Sequence, residues 1–344
     1  MLPEVCLALM MLGLTAYAVL AGADFGAGFW DLTAGGAERG GRIRGMVERS
    51  ISPVWEANHV WLIFVLVVFW TAFPVAFGSV ASTLYVPLFL AAVGIIFRGA
   101  AFAFRGQAAT IGEARVLGAM FALSSVLTPF FLGAALGGIA SGRVPVGNAA
   151  GDAFDSWLNP TSLLVGGLAV VTGAYLAAVF MAADSVRAQL PDLARAFRAR
   201  ALGAGVVAGA VAVGGLFVLR GDARSLYDGL TSGGGLAAVV VSGVAGLGTL
   251  VLVWRERFAA ARYCAAVAVA SVTVGWAVAQ SPYLLPGQLT LDRAAAGHGV
   301  LVALLVSLGV GLVILAPALT LLYRLTLRGK LDQEFEPIDQ RFKP

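Results

Sequence analysis

The chain has 344 residues, 59% of them hydrophobic and only 12% charged, with a formal net charge of +4. So little charge cannot cover the surface of soluble domains, and the composition excludes them in favour of a chain embedded in membrane. The small positive excess belongs to loop arginines at a headgroup boundary and forms no nucleic-acid face.

Nine apolar stretches run along the sequence, near residues 5–23, 53–77, 80–97, 116–138, 161–183, 201–219, 236–254, 263–280 and 300–323. Each is close to the ~20 residues that a helix needs to cross ~30 Å of hydrocarbon. Their apolar character is continuous, without the period of two that barrel strands require. Helices satisfy their own backbone groups where there is no water. The expected fold is therefore an all-α polytopic membrane protein of nine transmembrane helices, arranged as two four-helix bundles plus one extra helix. It forms one transmembrane domain over residues 1–330, followed by a polar tail over 331–344.

The first stretch carries Glu4 where a secretory signal has a basic segment, so it reads as a retained span. Pro53 suits a first helical position with Ser52 as its cap, which opens the second span there. Little more than Gly78 and Ser79 separates the second span from the third, predicting a tight helical hairpin. The Gly- and Pro-rich segments after the fourth and eighth spans read as turns without strands. Gly166-Gly167 and Gly214-Gly215 lie inside spans, where small residues let helices approach closely. Cys6 and Cys264 sit on separate spans as small core residues.

The basic residues alternate along this pattern. Arg39, Arg42, Arg44 and Arg49 follow the first span; Arg98, Arg105 and Arg115 follow the third; Arg187, Arg195, Arg198 and Arg200 follow the fifth. Arg255, Arg257 and Arg262 follow the seventh, and Arg324, Arg328, Lys330, Arg341 and Lys343 the ninth; the other gaps hold only Arg143, Arg220, Arg224 and Arg293. Cytoplasmic loops retain Lys and Arg, so the N-terminus is expected outside and the C-terminus inside.

The densest chemistry lies in Ser52-Pro53-Val54-Trp55-Glu56-Ala57-Asn58-His59-Val60-Trp61-Leu62. Glu56 and His59 are three apart and share a helix face, and Trp55 meets His59 across one turn. Glu56 reads in two ways: an acid favoured by the dipole of a helix start, with Trp55 and Trp61 as interfacial anchors, or half of a proton-accepting pair with His59. Asp24 closes the first span on the same side and Arg98 closes the third. Together they make either a salt-bridge cluster or a site of proton or ion uptake. Span one carries Ala16-Tyr17 before Ala23-Asp24, and span five carries Ala174-Tyr175 before Ala183-Asp184, an internal echo or a coincidence of Ala-rich sequence. The two histidines, His59 and His298, form no ligand pair, so haem or metal binding by this chain has no support in the sequence.

At these residues the chain resembles subunit II of the cytochrome bd quinol oxidases. The resemblance rests on Gly22-Ala23-Asp24-Phe25-Gly26-Ala27-Gly28, on Pro53 to Leu62, and on Phe97-Arg98-Gly99 with Phe104-Arg105. It continues through Leu158-Asn159-Pro160 and Gly173-Ala174-Tyr175. Ala279-Gln280-Ser281-Pro282-Tyr283-Leu284 is similar to the cyanide-insensitive branch, so the likeness runs from the first span to the end of the eighth.

That resemblance implies an oxidase of bacterial or archaeal cytoplasmic membranes that oxidises quinol and reduces dioxygen to water. It implies two b-type haems and one d-type haem in a homologous subunit I, and none on this chain. It further implies a heterodimer with that subunit, room for a small single-span accessory subunit, and contact with a structural quinone or lipid. Catalysis would not belong to this chain alone. A proton route would use Glu56, His59 and Asp24, while Trp55, Asn58, Trp61, Arg98 and Asn159 would serve structure or the subunit interface. Several relatives have a second acid where this chain has Ala21, so a route through that position must run differently here. A secondary transporter or proton channel is the competing class, disfavoured by the lack of Asp, Glu, Lys and Arg in the central thirds of the expected spans. A scaffold with no part in proton delivery would keep the bundle without needing Glu56.

Overall fold

A computed structural model describes residues 1–331, with the side chains of residues 37–39 outside that description. The polar tail after 331 expected from the sequence therefore lies beyond the described residues. Among those residues, nine helices are long and apolar enough to cross a membrane. They are α1 (Leu2–Leu32), α3 (Trp55–Ala72), α5 (Tyr85–Arg105), α6 (Ile111–Ala140), α7 (Pro160–Arg187), α8 (Pro191–Asp222), α10 (Gly233–Trp254), α11 (Phe258–Gln280) and α13 (His298–Leu327). Short helices α2 (Ala37–Ile51), α4 (Pro74–Thr83), α9 (Arg224–Leu230) and α12 (Leu291–Ala294) fill four of the connections.

Helices α1, α3, α5 and α6 pack as one group, and α7, α8, α10 and α11 as a second. The groups meet where α7 crosses α1 and α6, and α13 leans on α3 and α1 as the extra helix. At the central crossing, a β-carbon on Gly26 would overlap the carbonyl of Gly173. Only glycine permits that approach, as small residues do between membrane helices generally. Of the Gly pairs singled out from the sequence, Gly166 touches Phe130 and Gly215 touches Leu164, but Gly167 and Gly214 face open space. The tight seam is thus built by different glycines from most of those expected.

Three local expectations are corrected. Ser52 closes α2 instead of opening the second span, its N–H bonding to the Glu48 carbonyl at 3.0 Å. Ile43, Met46, Val47 and Ile51 form a buried stripe that holds residues 37–51 helical, and Pro53, lacking an N–H, ends the run. The expected span over 53–77 breaks at Phe73, because Pro74 has no N–H to continue α3 and starts α4 at its first position. Gly78 and Ser79 therefore lie inside a helix of the connection, and the two spans are no tight hairpin. Finally, the connection after α11 contains strands: β1 (Tyr283–Leu285) pairs antiparallel with β2 (Leu289–Thr290). Leu284, Leu285 and Leu289 from it are buried against Phe73 and Ala76 of the α3–α4 break.

Helix ends elsewhere follow side-chain chemistry. Thr110 accepts the Glu113 N–H at 3.2 Å while the Glu113 carboxylate accepts the Ala109 N–H at 2.9 Å, a reciprocal cap that starts α6. Asn159 caps α7, accepting from the Ser162 N–H at 3.0 Å ahead of Pro160.

Candidate functional site

The basic clusters gather at one end of the bundle, and two buried carboxylates lie near that end on α1. Asp24 does not close its helix. It sits eight residues before the end of α1, about 12 Å along the axis, and is 5% exposed. Arg98 likewise lies seven residues inside α5, about 10 Å from its end, and is 1% exposed. The expected spans stopped short because hydropathy drops at a charge, whereas the helix continues for two more turns. Asp24 still lies outside the central third of α1, while Arg98 reaches the edge of the central third of α5.

Asp24 is held by an amide. Asn58 Nδ2 donates to Asp24 Oδ2 at 2.6 Å, and the Tyr323 hydroxyl donates to Asn58 Oδ1 at 2.7 Å. Arg98 faces the same acid from the other side but touches its backbone: Nη2 donates to the Asp24 carbonyl at 3.1 Å and Nε to Ser125 Oγ at 3.0 Å. The guanidinium also lies 4.9 Å from the Phe25 ring centroid and 5.1 Å from that of Phe121. Among the described residues, no guanidinium makes an ion pair with the Asp24 carboxylate. A carboxylate and a guanidinium thus share one apolar compartment without neutralising each other by direct contact.

His59 extends the cluster. Its ring lies 5.9 Å from Phe25, 6.0 Å from Tyr17 and 6.5 Å from Trp55. His59 Nδ1 and the Tyr17 hydroxyl are buried without a protein partner. Buried polar atoms of that kind are usually satisfied by water. Glu56 is exposed at the start of α3, one turn from His59 on the same helix. The sequence residues Asp24, Asn58, His59 and Arg98 are brought together, and Glu56 marks the rim. Trp55 packs within the chain, its ring 5.4 Å from Phe102, and Trp61 stands edge-on to Phe64 at 6.1 Å. Asn159 is remote, on the cap of α7.

Sequence reasoning missed Tyr323 and Ser125. Tyr323 lies 265 positions from Asn58, and no spacing rule links them. It also missed Asp31, two turns after Asp24, which accepts from Arg44 Nε at 3.0 Å and from Arg105 Nη1 at 2.7 Å. Arg105 Nε reaches Glu48 at 3.0 Å, so this second acid ties α1, α2 and α5 into one ionic knot. The echo in α7 also differs: Asp184 accepts from Arg262 at 2.6 Å instead of from an amide. His298, at the start of α13, is exposed, while His59 is enclosed by aromatic rings on α3.

A polytopic helical membrane protein with a buried acid, amide and guanidinium near its basic end is the class that these observations define. The model of the cytochrome bd terminal oxidase subunit II family matches residues 2–326, and the chain belongs to that family. It is 28% identical to a chain in the structure of bd oxidase from Geobacillus thermodenitrificans, with a TM-score of 0.73, covering 95% of this chain and 98% of that one. A Bacillus subtilis (strain 168) protein named for subunit II of a cytochrome bd menaquinol oxidase is 27% identical over 62% of this chain and 61% of its own length. Cytochrome bd-I ubiquinol oxidase subunit 2 of Escherichia coli (strain K12) is 28% identical over 46% of this chain and 42% of its own length. The chain thus aligns with less than two thirds of these curated relatives, which are themselves named as subunits of quinol oxidases.

Proposed function

We propose that the chain is the haem-free subunit II of a quinol:dioxygen oxidoreductase, paired with a haem-bearing subunit I in a bacterial cytoplasmic membrane. In this reading the N-terminus is outside and the basic end of the bundle faces the cytoplasm, as positive loops do. The haems supply electron transfer and oxygen reduction from the partner; this chain's residues move protons and hold the assembly. Trp55 and Trp61, near the basic end, would steady the edge of the subunit interface.

The proton route starts at Glu56, exposed at the rim, passes His59, whose buried Nδ1 has no protein partner, and reaches Asp24. One observation carries this proposal. Asp24 is buried, yet it is bonded to a neutral amide and forms no ion pair, so no direct cationic contact locks its carboxylate in the charged state. An acid that carries protons must be able to take one up and give it back. Arg98, held by Ser125 and by backbone, tempers the cost of the charged form without quenching it.

The test is Asp24→Asn in the assembled oxidase. The amide keeps the shape but cannot titrate. Quinol oxidation should fall by at least about tenfold, with the haem content per unit of complex unchanged. Full turnover with normal proton uptake would reduce Asp24 to a structural polar residue.

A further inference from the structure

The ninth span offers little to a purely packing account. Most of α13 is exposed, including Val306, Val310, Val313 and Ile314. Near the basic end, polar ties join it to the rest of the chain. Arg187 Nη1 of α7 donates to the Thr326 carbonyl at 2.7 Å. Three residues earlier, the Tyr323 hydroxyl donates to Asn58 Oδ1, whose amide nitrogen donates to Asp24. The first tie holds the helix end in place, and the second ends on a group that no loop or packing surface requires.

We propose that Tyr323 is a positioning residue that lets the Asn58 amide serve Asp24 in both of its protonation states. This rests on Asp24 being a proton carrier. With Asp24 ionised, its carboxylate accepts from Asn58 Nδ2, and the outward Oδ1 needs a donor, which Tyr323 supplies. When Asp24 holds a proton, its O–H becomes a donor and needs an acceptor. Turning the amide by half a rotation presents Oδ1 to Asp24 and Nδ2 to the Tyr323 oxygen. A phenol hydroxyl donates in the first arrangement and accepts in the second. Phenylalanine can do neither, so one end of a buried amide would then be unpaired in each state. Asn58 is 2% exposed, so bulk water is no ready substitute. The Leu20 carbonyl, 3.5 Å from Nδ2, is at the limit of hydrogen-bond reach and serves only the first arrangement.

The charged and titratable groups facing this cluster are Arg98 from α5, His59 from α3 and Tyr17 from α1, with neutral Ser125 from α6. Tyr323→Phe changes none of these side chains.

The experiment uses the complete two-subunit oxidase carrying Tyr323→Phe. It measures haem content, the pH profile of quinol oxidation, and the infrared carboxyl band assigned to Asp24 by its absence in Asp24→Asn. The expected result is unchanged haem, a turnover loss of roughly tenfold, an altered pH profile and a displaced Asp24 band. In an Asn58→Leu background, Tyr323→Phe should add nothing, because its action passes through the amide. A profile and band that superpose on the parent's, while Asp24→Asn cripples turnover, would overturn the positioning role and leave the proton route standing. If Asp24→Asn runs at full rate, the proton route fails. The positioning role, which rests on that route, would fail with it.

Discussion

Asp24 and Asp31 lie two turns apart on α1, both buried, and the chain treats them in opposite ways. Asp31 is gripped by two guanidiniums, Arg44 and Arg105, and Arg105 in turn reaches Glu48. Asp24 has an amide where Asp31 has its cations. Removing a carboxylate that buried cations contact leaves those cations stranded. Among the described residues, the Asp24 carboxylate has no such contact. One helix therefore carries an acid tied to cations and an acid tied to an amide; under the proposed function the first holds and the second exchanges protons.

The largest effect should come from breaking the holding acid. Asp31→Ala leaves Arg105, 5% exposed, with one carboxylate fewer. A buried ion pair broken on one side costs about 3–5 kcal/mol, so the subunit should be lost from membranes along with assembled haem. Normal subunit levels would show that Glu48 alone satisfies Arg105. Asp24→Asn, by contrast, should leave subunit and haem levels near normal and lower only turnover. Equal loss of assembly in both variants would erase the distinction between the two acids.

Glu56→Gln should act more weakly, by about a few-fold in turnover. Glu56 is exposed at the rim, where water and neighbouring groups can also deliver protons. A rate unchanged across the pH range would return Glu56 to the role of a helix-start acid. The smallest effect concerns the connection between α6 and α7. Asp152 Oδ1 accepts from the Phe154 and Asp155 N–H groups, both at 2.8 Å, and these bonds hold its carboxyl below the ordinary carboxylate range. A lowered folded value means that the turn is fully supported above the unfolded carboxylate range and loosens as pH falls through the folded value. Protection of the Phe154 and Asp155 amides, corrected for intrinsic exchange, should fall only in strong acid. A transition at or above the ordinary Asp range would contradict the turn geometry.

Much of the fold was legible because hydrocarbon imposes a length and a composition on whatever crosses it. The second expected span failed at Phe73 for a local reason, the missing N–H of Pro74, which outweighed an unbroken apolar run. Residues 37–51 read as a basic loop because their apolar residues are sparse. Only burial against α7 and α1 reveals Met46 and Val47 as a packing stripe. Asp24, Asn58, His59 and Arg98 stood out as polar groups beside apolar runs, but their partners did not. Tyr323 resembles any interfacial tyrosine until α13 lies beside α3.

Composition and hydropathy alone determined that this chain is a bundle of membrane helices, because a backbone without water must bond to itself. The alternation of arginines set an expected orientation, and the run from Pro53 to Leu62 marked where the chemistry would gather. Tertiary structure decided which acid is ion-paired and which is bonded to an amide. Ion pairs and amide contacts depend on distances of about 3 Å between groups far apart in sequence. Asp24 and Arg98 read as part of a salt-bridge cluster or a site of proton or ion uptake, but the packed helices turn the guanidinium to backbone and serine and leave the carboxylate to Asn58.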